Sequence, residues 1–320
     1  MSTVPNGGPI ADLSYRGYDG PLESPRMRWW VIARQGIQLA LKRKGLWAVM
    51  IGSAWYYLVM LIVLFFVQQV LSANPMGEAP MAAFMKRLVW KDQFLHGFSY
   101  AQLPLLAVTI MLGSGAIAND NRSKALMVYL SKPADKTDYL LGKWIGIALP
   151  IWLTLLVPTV MFYGYGALTF RQYGFISDDP WLFPKLMAVL PLAALMHSSL
   201  MLGVSSLFDQ GRVAGATYAG IYFLTNFFTV LMGAAWNSSR GEAPAFVKTL
   251  YYGSLDGLLI GSFKAIMGTS GTPPFGIQAP RAIAIEPPPI VLVLGIVLGL
   301  CVISLGLAWR KIRAVEVVGG

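Results

Sequence analysis

The stretch GSGAIANDNRSKALMVYLSKPADKTDYLLGKWIG, Gly113–Gly146, joins two long apolar runs, Phe94 to Ala118 and Trp144 to Leu168. Each run exceeds the roughly 20 apolar residues that a helix needs to cross about 30 Å of hydrocarbon. Working outward, four more segments pass the same test: Gly45 to Val70, Leu186 to Leu207, Val213 to Ala235 and Ile290 to Trp309. Apolar residues make up 56% of the chain and charged residues 12%. A chain with so few charges cannot coat itself against water, so lipid must be its solvent. The fold class expected is all-α: a polytopic membrane protein of six transmembrane helices.

The connections set the orientation. Arg26, Arg28, Arg34, Lys42, Arg43 and Lys44 precede the first span, and Arg122, Lys124, Lys132, Lys136 and Lys143 lie between the second and third. Arg212 follows the fourth, and Arg310, Lys311 and Arg313 follow the sixth. With six spans all of these fall on one side, and the bias of basic residues in short inner loops places both termini in the cytoplasm of a cell inner (plasma) membrane. Lys86, Arg87 and Lys91 cluster on the opposite side and run against that bias. The net charge of +10 is thereby explained at the lipid surface. No basic patch with interleaved aromatics lies outside these flanks, which argues against nucleic acid as a partner.

Residues 26–44 are too basic to span. On a helical wheel Trp29, Trp30, Ala33, Ile37, Ala40 and Leu41 share one third of the circumference, opposite Arg28, Arg34, Gln35, Gln38 and Lys42. This predicts an amphipathic helix in the inner interface, with Trp29, Trp30, Ile37 and Leu41 as its membrane-facing residues. Residues 1–25 read as an extended cytoplasmic tail without the apolar core of a signal peptide. The membrane domain is expected over 45–320. Within it, Phe246 to Met267 tempts a seventh span, but Lys248, Asp256 and Lys264 are each costly at the bilayer centre. It is read instead as a pair of short re-entrant or interfacial helices, broken near Gly253 to Gly261 and followed by the Pro-rich stretch Thr272 to Pro289. Together these form an outer region over 236–289.

Several chemistries have no residues to carry them. The six span interiors lack Asp, Glu, Lys and Arg, which disfavours ion-coupled carriage. His197 is the titratable residue at depth and reads first as a helix–helix hydrogen bonder. Two His and the single Cys301, far apart, make no metal site. No G-x-x-x-x-G-K-[ST] phosphate loop and no G-x-S-x-G elbow occur, so no catalytic residue or bound cofactor is expected. Gly295 and Gly299 form a G-x-x-x-G pair in the last span, and Gly211, Gly215 and Gly220 line the fifth, as in helices that pack closely.

Gly113–Gly146 is more than a connector. A charged cluster, Asp120 to Lys124, precedes a short helical run, Ala125 to Leu130. A breaker at Ser131 to Pro133 follows, and Tyr139 to Trp144 re-enters the membrane. A short inner helix bearing Leu126, Met127 and Leu130 beside charges suits docking into a groove of another protein; it equally suits resting on headgroups. Here the chain resembles the permease subunits of ABC-2 type transporters, through Asp120, Ala125 to Leu130, Leu130-Ser131-Lys132-Pro133 and Tyr139-Leu140-Leu141-Gly142-Lys143. Ala11 to Pro21 (ADLSYRGYDGP) is similar to the tyrosine-rich opening of a subset of bacterial members. Ser123-Lys124 departs from the pattern, where relatives often carry Gly.

The resemblance implies a coupling loop over 119–143 that docks a separate ABC ATPase through Asp120, Arg122, Leu126, Met127 and Leu130, with the break at Ser131 and Pro133. It further implies pairing with a second permease copy or paralogue, ATP bound by the partner, and export. On the residues alone, a non-transporting anchor or scaffold that recruits a soluble partner stays open, as does a membrane enzyme or an uncoupled channel.

Overall fold

A computed structural model describes residues 27–72, 79–124, 135–239, 242–272 and 285–312. It is all-helical, with no strand among the described residues. Five helices are each long and apolar enough to cross a membrane: α5 (Trp90–Gly113), α7 (Lys136–Thr169), α8 (Leu182–Ser205), α9 (Gly211–Ser238) and α12 (Ile290–Lys311). Two shorter helices, α2 (Lys44–Ser53) and α3 (Trp55–Ser72), bent by 48° at Ala54, pass the same test when taken together and as one span make the sixth candidate. The first predicted span is therefore a broken one. Ser53 Oγ donates to the Met50 carbonyl at 2.6 Å, and the Ala54 N–H turns back to Ile51 at 3.0 Å. Both bonds tighten the turn and divert the regular ladder.

The crossings alternate in direction. The ends of α5, α8 and α12 lie with the starts of α2, α7 and α9 at one end of the bundle, inner in the sequence-based orientation. Arg43 Nη1 reaches the Met111 carbonyl there at 2.6 Å, and the loop after α8 meets Asn121. At the opposite end Tyr56 OH donates to Gln93 Oε1 at 2.8 Å. Helices α8 and α12 run parallel and approach closely at Gly203, where an added Cβ would sit 3.0 Å from the Ser304 carbonyl oxygen. Helix α7 is 34 residues long, about 51 Å at 1.5 Å per residue. That exceeds the hydrocarbon thickness, so its first two turns project beyond the span that hydropathy marks out.

The outer end is closed by aromatic packing. Trp90 sits edge-on to Phe175 at 4.7 Å, and Phe94 meets Phe162 at 5.3 Å. Gly166 leaves room for the Phe175 ring, because a Cβ there would lie 2.3 Å from it. Helix α4 (Ala79–Arg87), in the first outer connection, was not anticipated from sequence. Lys86 and Arg87 occupy its last turn, where they complement the helix dipole.

The re-entrant pair is α10 (Ala245–Tyr251) and α11 (Leu255–Met267). The break falls at 252–254 and does not extend to Gly261, which lies inside α11 against Tyr252 and Pro288. Ser254 caps α11 by accepting from the Gly257 N–H at 2.8 Å, and Gly268 ends it at φ +65°. The buried Lys264 donates to the Ile285 carbonyl at 3.3 Å and to Tyr252 OH at 3.4 Å. The buried Asp92 of α5 accepts from the Thr272 N–H at 2.9 Å and from the hydroxyls of Thr269 and Thr272. Of the other charges that seemed costly at this depth, Lys248 pairs with Glu286 and Asp256 accepts from Tyr222 OH through one of its two carboxylate oxygens.

Candidate functional site

Between α5 and α7 the chain turns through a tight elbow, 114–117, into α6 (Ala118–Arg122). An elbow buried at a helix end must find partners for its backbone groups. Ser205, at the end of α8, supplies them. Its Oγ accepts from the N–H groups of Ile117 and Ala118, both at 3.1 Å, and donates to the Ser114 carbonyl at 2.9 Å. Ser205, Ile117 and Ala118 are buried, and Ser114 is half-buried.

Three more ties fix the same turn. Asp120 accepts from Tyr139 OH at 2.7 Å and pairs with Lys143 Nζ at 2.8 Å, both from the first turns of α7. Tyr139 and Lys143 stand four residues apart, which puts both on one face. Asn119 Oδ1 accepts from the Gly211 N–H at 3.3 Å, at the start of α9. Gly211 approaches so closely that a Cβ there would lie 2.9 Å from Gly115 Cα. Asn121 Nδ2 donates to the Phe208 carbonyl at 3.4 Å. The elbow is therefore bonded to α7, to the end of α8 and to the start of α9.

Helix α1 (Arg28–Leu41) lies across the first turns of α7. Gly142 and Gly146 make the contact possible, since a Cβ at Gly142 would stand 2.6 Å from the Trp29 carbonyl oxygen and one at Gly146 3.4 Å from that of Ala33. Ala33 and Ala40 are buried in this contact. Trp29 and Ile37 are half-buried, while Trp30 and Leu41 are exposed at 37% and 41%. The face of α1 turned to α7 is thus Trp29, Ala33 and Ala40, and the flank of Trp30, Ile37 and Leu41 lies beside it.

A cavity of about 860 Å³ opens among α1, the end of α5, α6 and the starts of α7 and α9. Arg43, Arg122, Lys143 and Arg212 line it, against the single carboxylate of Asp120. Of the docking residues expected from sequence, Asp120 and Arg122 both sit on this cavity. Leu126, Met127, Leu130, Ser131 and Pro133 lie outside the described residues, as do residues 1–26, 273–284 and 313–320. Lys124 adopts φ +53°, a conformation that Gly reaches without strain.

Sequence reasoning missed Ser205, Asn119 and the seat of α1 on Gly142 and Gly146. For Ser205 a serine at a span end carries no signal of its own. For Gly142 and Gly146 the four-residue spacing was readable. His197 is fully buried, with Nδ1 2.7 Å from Tyr218 OH and Nε2 3.5 Å from Gln102 Oε1, so it links α8 to α9 and α5. Among the described residues no group of three or more His, Cys, Asp or Glu could hold a metal ion.

The second and third spans of this helical membrane bundle are thus joined through a charged, multiply bonded elbow. A family model described as "ABC-2 family transporter protein" matches residues 98–311. The chain belongs to that family. It is a multi-pass transporter membrane subunit, and membership implies an ABC ATPase as its partner. No curated protein matches the sequence.

Proposed function

We propose that this chain is the permease of an ABC exporter in the inner membrane, both termini cytoplasmic, with a separate ATPase docking on the loop 119–143. The observation that carries the reading is the bonding of the elbow. Asp120, Asn119 and Ser205 connect the loop to the inner ends of α7, α8 and α9 within hydrogen-bond distance. A displacement of the loop cannot stay local in such a lattice and must move several spans together. ATP is bound by the partner, and the permease contributes no covalent chemistry.

A second permease copy completes the path across the membrane in this reading. Two unpartnered surfaces support it. Helix α9 is exposed along Phe223, Leu224, Phe227 and Phe228, and a Cβ at Gly295 or Gly299 of α12 would meet nothing within 4 Å. The charge-free span interiors favour an amphipathic or lipid-like cargo over a small ion.

The test is ATP hydrolysis by the candidate ATPase co-purified with this chain in lipid nanodiscs, beside a Leu126→Asp, Leu130→Asp variant. Co-purification with turnover in the wild type, and loss of turnover in a folded variant, is the expected result. Normal turnover in the variant would sink the coupling role of the loop.

A further inference from the structure

The 48° bend between α2 and α3 leaves a second cavity, of about 470 Å³, on the flank of the bundle. One wall is the bent span, with Trp47, Ile51, Leu58 and Leu61; the other is α7, with Leu153, Val157 and Met161. Pro150 and Pro158 lie in that α7 wall, and neither has a backbone donor to offer there. The inner end is roofed by Ile37 and Leu41 of α1.

The lining offers no hydrogen bond to a guest. Tyr57 OH is turned inward, donating to the Phe94 carbonyl at 3.3 Å, and Thr154 Oγ1 donates to the Pro150 carbonyl at 2.7 Å. From Leu149 to Met161 the α7 wall runs about 18 Å at 1.5 Å per residue. That is close to one leaflet's hydrocarbon depth of roughly 15 Å. The shape is that of a slot for an acyl chain.

Two cations are placed towards its inner end by their helical spacing from residues that line it. Arg34 stands at the edge of the polar arc of α1, three residues before Ile37 and seven before Leu41, so it borders the flank that lines the slot. Lys44 precedes Trp47 by three and Ile51 by seven on α2. Both are exposed, and neither has an acidic partner among the described residues. Residues at these spacings share a helix face.

We propose that this slot binds one anionic phospholipid of the inner leaflet, its acyl chain between α3 and α7 and its phosphate on Arg34 and Lys44. The site links α1 to the hinge at Ala54, because Trp47 Nε1 donates to the Leu41 carbonyl at 2.9 Å and closes the α1–α2 corner over the slot. It requires neither the ATPase nor a transported cargo. A failure here leaves the permease reading untouched.

The test uses the full chain alone in mixed phosphatidylglycerol–phosphatidylcholine nanodiscs, doped with a phosphatidylglycerol that carries a photoactivatable group in mid-chain. Labelling is expected to concentrate in peptides spanning 47–61 and 149–161. Unlabelled phosphatidylglycerol should compete far better than phosphatidylcholine. Arg34→Gln and Lys44→Gln should each weaken retention about fivefold and together roughly 25-fold, as expected for cations at an anionic surface. Leu153→Trp, which fills the slot, should abolish labelling there, with the elution profile unchanged. Val157→Phe serves the same purpose if that variant misfolds. Labelling spread over α9 and α12 in proportion to exposure would overturn the site. Equal competition by phosphatidylcholine would overturn its anionic selectivity.

Discussion

Ser205→Ala removes a hydroxyl that holds three backbone groups of the elbow between α5 and α6. The N–H groups of Ile117 and Ala118 would be left buried without that acceptor, and the Ser114 carbonyl would lose a donor. An orphaned buried donor costs about 1–3 kcal/mol, so two give roughly 2–4 kcal/mol once some relaxation is allowed. The neighbouring Ser206 is also buried, but its Oγ donates only to the Gly203 carbonyl of its own helix at 2.7 Å. Ser206→Ala should therefore cost about 1 kcal/mol or less. Cys301 is the chain's single cysteine and is buried, so a thiol-reactive dye reports unfolding directly. At a fixed scan rate the Ser205→Ala transition should fall by roughly 3–6 °C and the Ser206→Ala transition by about 1–2 °C at most. Equal shifts for the two variants would refute the assignment of the elbow to Ser205.

Gly142→Val should lift α1 from α7, because its Cβ meets the Trp29 carbonyl oxygen and Ile32 Cβ at 2.6 and 2.7 Å. Faster trypsin cleavage at Arg34 and Lys42 would register it, with Gly36→Ala, which meets nothing within 4 Å, as the unaffected control. Asp120→Asn keeps an acceptor for Tyr139 but loses the ion pair with Lys143. It should change stability by about 1 kcal/mol or less, since the pair is partly exposed, while lowering the partner's coupled ATP hydrolysis. A stability loss as large as that of Ser205→Ala would contradict this.

At the outer end, burial alone would raise the Asp179 carboxyl, but Lys185 and Lys91 outweigh it and hold the carboxyl below the ordinary 3.8. A carboxylate with a depressed folded pKa adds stability above 3.8 that is lost as the pH falls through the folded value. Acid unfolding of Asp179→Asn should lack that component, and identical acid limbs for the two proteins would exclude it.

The number of spans was legible because lipid forces backbone hydrogen bonds inside each apolar run, which makes length and hydropathy sufficient. The pair of short helices before the last span was legible for the converse reason: Lys248, Asp256 and Lys264 disfavour a plain crossing. The unusual polarity of the loop at 119–143, and its resemblance to a family to which the chain then proved to belong, singled out Asp120 and Arg122, both of which line the cavity. By contrast, Ser205 lies 88 residues from Ile117, and nothing in either neighbourhood marks the pair. The break at Ala54 divides one apolar run into two helices, which hydropathy does not register. Local composition decides which segments leave water. Which distant polar groups meet once they have left it depends on how the helices pack, and that only the tertiary structure decided.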